Sequence, residues 1–136
     1  MYLAPHLWDI HYNGAIFPGS DHQGLQAGAN CQVFAYAVLA THGFHLPPFR
    51  SSDLWLDRTH THITHTLEPL DLLLFHHEPS AYGAHVALYW GEQQVLHLAQ
   101  HHGRPRLESV ASISAHPRYR CFIGAKRVVK PSPAIP

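Results

Sequence analysis

The stretch from Ala27 to Gly43, AGANCQVFAYAVLATHG, decides how this chain is read. Residues 27–30 are small and read as a flexible approach, and Gln32 to Thr41 carry the apolar spacing of an amphipathic helix that ends near Gly43. Cys31 therefore stands at a helix N-terminus. The helix dipole and the unpaired N–H groups there favour an anion, which is the reactive form of a thiol. Taken alone, a Cys at the start of an apolar helix is most often a small buried hydrophobe. Spacing and context further along the chain change that balance.

Downstream, HVALYW from His85 to Trp90 and VLHLAQ from Val95 to Gln100 read as strands joined by Gly91 to Gln94. A three-residue loop, Gly91 to Gln93, pairs Trp90 with Gln94 and Ala87 with His97. His85 and His97 then become diagonal neighbours on one face, with α-carbons about 7–8 Å apart. A loop of even length would place them on opposite faces. A thiol, a base and a second imidazole that holds the base's other nitrogen form a set for nucleophilic acyl transfer. His85 takes the Cys31 proton, His97 fixes the His85 tautomer, and the N–H of Cys31 supports the oxyanion. Because 15 of the 136 residues are histidine, this reading rests on order and spacing rather than on residue type.

The order NCQVFAYAV, PLDLLLF (Pro69 to Phe75), HVALYWGEQQVLHLAQ and CFIGAKRVV (Cys121 to Val129) resembles the NlpC-type branch of the papain-like cysteine peptidases, over roughly Ala27 to Val129. In that family a Cys opens the first core helix. A Pro-Gly-Asp-Leu-like segment leads the next strand, and a His-Val-Gly-Ile-Tyr-like strand is followed by a second His. The resemblance implies an α+β fold in which the nucleophile helix packs on an antiparallel sheet of about five strands. It also implies Cys31 as nucleophile, His85 as general base, His97 as third polar member, and a peptide or amide substrate with no cofactor. Tyr12 matches a Tyr that family members place over the active site. Where the family commonly reads Asp-Cys-Ser-Gly, this chain has Asn30-Cys31-Gln32-Val33. Members that cleave bacterial cell-wall stem peptides use that Asp to hold the substrate's free amine. Asn30 is thus a candidate substrate contact without the charge, and a free-amine stem peptide loses its ion-pair partner.

Length and composition bound the rest. The chain fits one domain, expected over residues 1–130, with a Pro-rich tail at 131–136 expected to be disordered. Nine basic and nine acidic side chains give zero formal charge and no basic cluster, so neither nucleic acid nor an anionic membrane is supported as a partner. The first residues lack a basic start followed by an apolar run, which points to a cytoplasmic product without a signal or spanning helix. Cys31 and Cys121 are expected to be unpaired thiols, since a disulfide would consume the nucleophile.

The other features are read as follows. A second short helix is expected from Ser51 with a Ser or Asp cap, and strands at 71–75, 85–90, 95–99, 104–108 and 119–128. The Thr/His alternation from Thr59 to Thr66 reads as a solvated edge, and no built metal site is expected there or at the pairs His76-His77 and His101-His102. Trp55, with Trp90, is a candidate for the wall of a substrate cleft. Three functions stay open: a thiol hydrolase or acyl transferase, a binding module that keeps the fold without turnover, and a His-rich metal-binding protein.

Overall fold

LLLF, Leu72 to Phe75, is a run without alternation, which is the pattern of a strand buried on both faces. In the computed structural model, which describes residues 1–22 and 24–129, all four of these side chains are fully buried. They belong to β2 (Leu72–His76), in the interior of a six-stranded sheet. The others are β1 (Thr61–Thr64), β3 (His85–Gly91), β4 (Gln94–Leu98), β5 (Pro105–Ser109) and β6 (Cys121–Val128). Their order is β1-β6-β2-β3-β4-β5, and every neighbouring pair is antiparallel. The helices are α1 (Pro5–Trp8), α2 (Cys31–Thr41), α3 (Ser51–Leu56) and α4 (Val110–Ser114). A 3-10 turn spans Pro117–Tyr119.

The α+β class and the helix-on-sheet arrangement are those expected. The sixth strand is β1, the segment read as a solvated edge. It does form one edge of the sheet, paired with β6 alone, while Thr61 turns inward and is fully buried. The last strand starts at Cys121 rather than Tyr119, because Pro117 holds the preceding residues in the 3-10 turn. The second helix is capped at Arg50, not at Ser or Asp. Asp53 supplies the acidic half of the cap, its carboxylate accepting the Arg50 N–H at 3.1 Å.

Two cores lie on the two sheet faces. On one, α2 sets Phe34, Val38 and Leu39 against Leu72, Leu74, Val86, Leu88, Leu96 and Leu98. On the other, Ile113 of α4 and Tyr119 cover Leu73, Phe75, Ala87, Tyr89 and Val95. Burial of one such Leu or Phe stabilises the fold by about 1.5–3 kcal/mol, so α2 is held mainly by this face. Among the described residues no helix is long and apolar enough to cross a membrane. The 131–136 tail lies outside the described residues.

Candidate active site

The turn that presents Cys31 is built against the N-terminal lead-in. Gly28 has φ +98°, and a β-carbon there would lie 2.6 Å from the His11 carbonyl oxygen, so only glycine lets the two segments approach this closely. Ala29 N–H then donates to His11 O at 3.1 Å and Asn13 N–H to Ala29 O at 2.9 Å, a short parallel bridge that carries Tyr12 beside the nucleophile. Asn30 is the N-cap of α2. Its side-chain oxygen accepts the Val33 N–H at 2.9 Å, which occupies the atom that would otherwise face a ligand.

Cys31 is half-buried at the first residue of α2, and both cysteines are free thiols. Burial pushes the Cys31 thiol up from its ordinary value. The backbone N–H groups of Val86, Gln32 and Cys31 pull the other way, and burial prevails. The helix start expected to stabilise a thiolate is therefore present but outweighed.

His85 is the first residue of β3, and its register beside His97 has an unexpected origin. The loop has two residues, Glu92 and Gln93, with φ +53° and +64°, the left-handed pair of a tight hairpin turn. A bulge between Tyr89 and Gly91 restores the pairing, with Leu88 opposite Leu96. The extra residue at Trp90 does what the expected third loop residue would have done. His85 Nε2 and His97 Nδ1 are consequently 2.9 Å apart.

His97 is almost fully buried, and its Nε2 lies 2.6 Å from Glu108 Oε2. Burial holds the His97 imidazole below its ordinary value, against the raising effect of Glu108. A neutral ring that donates Nε2–H to the carboxylate keeps its lone pair on Nδ1. It must then accept from His85 Nε2–H, and the His85 lone pair falls on Nδ1. Burial, followed by His97, His101 and His102, holds His85 well below the ordinary imidazole range. The His85 ring also stacks on Tyr119, with centroids 4.6 Å apart. No hydrogen bond joins the Cys31 thiol to His85 among the described residues. Both do line one cavity of about 290 Å³, with Tyr12, His76, His77, Gln100, Arg118 and Tyr119.

A second cavity of about 410 Å³ meets the first at Cys31 and Tyr12, and its wall includes Asn30, Arg50, Asp53 and Tyr82. Cys31, His85, His97, Tyr12 and Asn30 are thus brought together. Trp55 is not: its ring packs against Gly124 and lines a separate cavity with Ile63, Leu67 and Phe122, so it is no wall of the Cys31 cleft. A more apolar cavity, lined by Leu39, Phe44 and Val128 among others, contains neither Cys31 nor His85.

Glu108 is the member that sequence reasoning missed. In β5 it sits two residues from Arg106, which pairs with His97, and so falls on the same face. The strand pattern at 104–108 was visible, but its register against β4 was not. The pair His101-His102 also gains a third ring, His116, which nothing in the sequence singles out. His101 stacks on His116 at 4.6 Å, and His102 lies edge-on to His97 at 5.7 Å between centroids.

A cysteine opening the helix that packs on an antiparallel sheet, with a histidine at the facing strand end, defines the papain-like class of α+β domains. Within it, residues 17–123 match the NlpC/P60 family model, and the chain belongs to that family. A crystal structure of an NlpC/P60 family protein from Bacillus cereus has the same fold, with a TM-score of 0.58 and 22% identity. The alignment covers 76% of this chain and 32% of that one, so the chain spans about a third of that protein's length. No curated protein matches. Members of the family are generally cysteine peptidases or amidases acting on cell-wall peptides.

Proposed function

We propose that this protein is a cysteine hydrolase of an amide or peptide bond, with Cys31 as nucleophile, His85 as general base and acid, and His97 and Glu108 as positioning residues. The observation that carries the reading is the single cavity lined by both Cys31 and His85, with the far nitrogen of His85 held by His97. Because burial raises the thiol and lowers the imidazole, the resting pair is neutral, and proton transfer belongs with the attack itself. The Cys31 proton passes to His85 Nδ1 as Sγ bonds to the carbonyl carbon, and N–H groups at the start of α2 support the oxyanion. The C–N bond breaks as His85 returns that proton to the leaving amine. Water then attacks the thioester, giving one proton to His85, and the C–S bond breaks to release the acid and regenerate the thiol.

The first of the two cavities suits a substrate group without a free amine. Asn30 offers no charge, and the first cavity's lining has Arg118 and three histidines, His85 among them, but no carboxylate, whereas Asp53 lines the second. That wall suits a neutral or carboxylate-bearing group. The test is labelling with iodoacetamide at neutral pH, followed by peptide mass mapping. Because His85 takes the thiol proton as Sγ attacks the reagent, Cys31 is expected to react faster than Cys121, and His85→Asn to abolish the difference. Equal slow labelling of the two cysteines in the unaltered protein would instead favour a binding module without turnover.

A further inference from the structure

Behind the base, on the side away from the thiol, His97, His102 and Glu108 each offer one ligand atom, and the three atoms lie within 4.8 Å of one another. His102 Nε2 is 3.8 Å from Glu108 Oε1 and His97 Nε2 is 2.6 Å from Glu108 Oε2, so the carboxylate stands between the two rings. His102 Nδ1 is buried and has no hydrogen-bond partner among the described residues, while Nε2 is the nitrogen of this ring beside Glu108. The side chains of His102 and Glu108 are 13% and 19% exposed, which leaves the cluster a way in from solvent.

We infer that His97, His102 and Glu108 form a binding site for a divalent transition ion of the zinc type, and that the bound ion switches His85 off as a base. Two imidazoles and a carboxylate suit zinc, cobalt or copper, with a fourth position left to water. Ligand bonds of about 2.0–2.2 Å in a tetrahedron require ligand atoms roughly 3.3 Å apart, so the 2.6 Å contact must open by less than 1 Å. The supporting contact that a ligating histidine needs at its other nitrogen already exists for His97, as the 2.9 Å contact to His85 Nε2.

The switch follows from proton positions in neutral rings. With no ion, His97 holds its proton on Nε2 for Glu108, His85 holds its own on Nε2 for His97, and the His85 Nδ1 lone pair serves the thiol. An ion on His97 Nε2 excludes the proton from that nitrogen, and the ring carries it on Nδ1 instead. His97 Nδ1–H then donates to His85 Nε2, so the His85 proton moves to Nδ1, the nitrogen meant to receive the thiol's proton. Each ring keeps one proton and only its position changes. Direct binding of the ion to Cys31 would also inhibit, and the variants below separate the two. The switch rests on the hydrolase reading, whereas the site does not.

Co²⁺ is titrated into the unaltered protein, Cys31→Ser, His102→Ala and His102→Gln, with affinity read from the cobalt absorption. His102 lies outside the relay and is partly exposed, and two replacements guard against an unfolded variant. Expected are saturable binding that Cys31→Ser leaves unchanged and an affinity loss of tenfold or more in both His102 variants. No thiolate-to-cobalt charge-transfer band should appear. Zn²⁺ should slow Cys31 alkylation at least tenfold in the unaltered protein and not in the His102 variants at the same concentration. No saturable binding, unchanged affinity in the His102 variants, a thiolate band, or an alkylation rate indifferent to bound Zn²⁺ would each overturn the inference. If metal-free Cys31 reacts no faster than Cys121, the hydrolase reading fails on its own, and cobalt binding by Cys31→Ser still decides the site.

Discussion

Glu108 converts a pair of histidines into a relay with one direction. Without an acceptor at Nε2, His97 could carry its proton on either nitrogen, and the His85 lone pair could point away from the thiol half the time or more. With Glu108 Oε2 at 2.6 Å, one tautomer is favoured along the whole line. Removing the acceptor and merely removing its charge should therefore differ. Glu108→Ala is expected to lower kcat about 10- to 100-fold with KM little changed, and Glu108→Gln to do less, since an amide oxygen still accepts Nε2–H. His97→Asn should likewise be milder than His97→Ala. Because the buried His97 Nε2 is left unmatched in Glu108→Ala, a stability loss of about 1–3 kcal/mol should accompany the kinetic effect. Steady-state kinetics together with urea unfolding separate the two contributions. Should all four variants turn over like the parent, the relay is idle and only a Cys31–His85 dyad remains.

At the scale of elements, two irregularities position the parts of the sheet. One is the bulge at Trp90, which gives a two-residue turn the register of a three-residue loop. The other lies in β6, where Leu74 pairs with Gly124 and Phe75 with Phe122, leaving Ile123 unpaired. Gly124 there has φ +153°, and a β-carbon would lie 2.4 Å from the Trp55 ring. Trp55 in turn anchors α3, because its carbonyl and that of Asp57 accept from the buried Lys126 Nζ at 3.0 and 2.5 Å. Gly124→Ala is expected to destabilise the fold by about 1–3 kcal/mol, with the loss of Trp55 fluorescence environment tracking a melting temperature several degrees lower. A melting curve that superimposes on the parent's would show that α3 yields without cost. Helix α2, the strands β2, β3 and β4 and the nearness of His85 to His97 across one hairpin were legible in the sequence because periodicity and spacing are local. Glu108, the histidine cluster and the displacement of Trp55 were not. Each depends on register between strands or on how a helix seats on a sheet, and a bulge changes register without leaving a mark in the apolar pattern.

The whole molecule places a set of histidines in surroundings that oppose charge. His85, His97, His101 and His102 are all held below the ordinary value of 6.5, in each case first by burial. Below pH 6.5 the unfolded chain binds protons that the folded chain refuses, so the unfolded state holds more protons and stability rises with pH. These groups contribute no difference well above pH 6.5, and the penalty grows as pH falls from there toward their folded values. Each proton taken up only by the unfolded chain adds a slope of about 1.4 kcal/mol per pH unit. Asp57 acts separately and lower. Although burial raises it, hydrogen bonds from the Thr61 hydroxyl and the backbone N–H groups of Thr59, His60 and Thr61 bring it down to about 2. Its stabilisation is present above pH 3.8 and is lost as pH falls through about 2. The urea midpoint should therefore be nearly level from pH 8 to 7, then fall between pH 6.5 and 5 with a slope exceeding that of one proton. His85→Asn should make that fall shallower by removing one of the refused protons, at unchanged m-value. A midpoint that stayed level to pH 5, or an equal slope in His85→Asn, would mean that these imidazoles protonate in place. The neutral resting relay, and with it the concerted proton transfer proposed for Cys31, would then have to be abandoned.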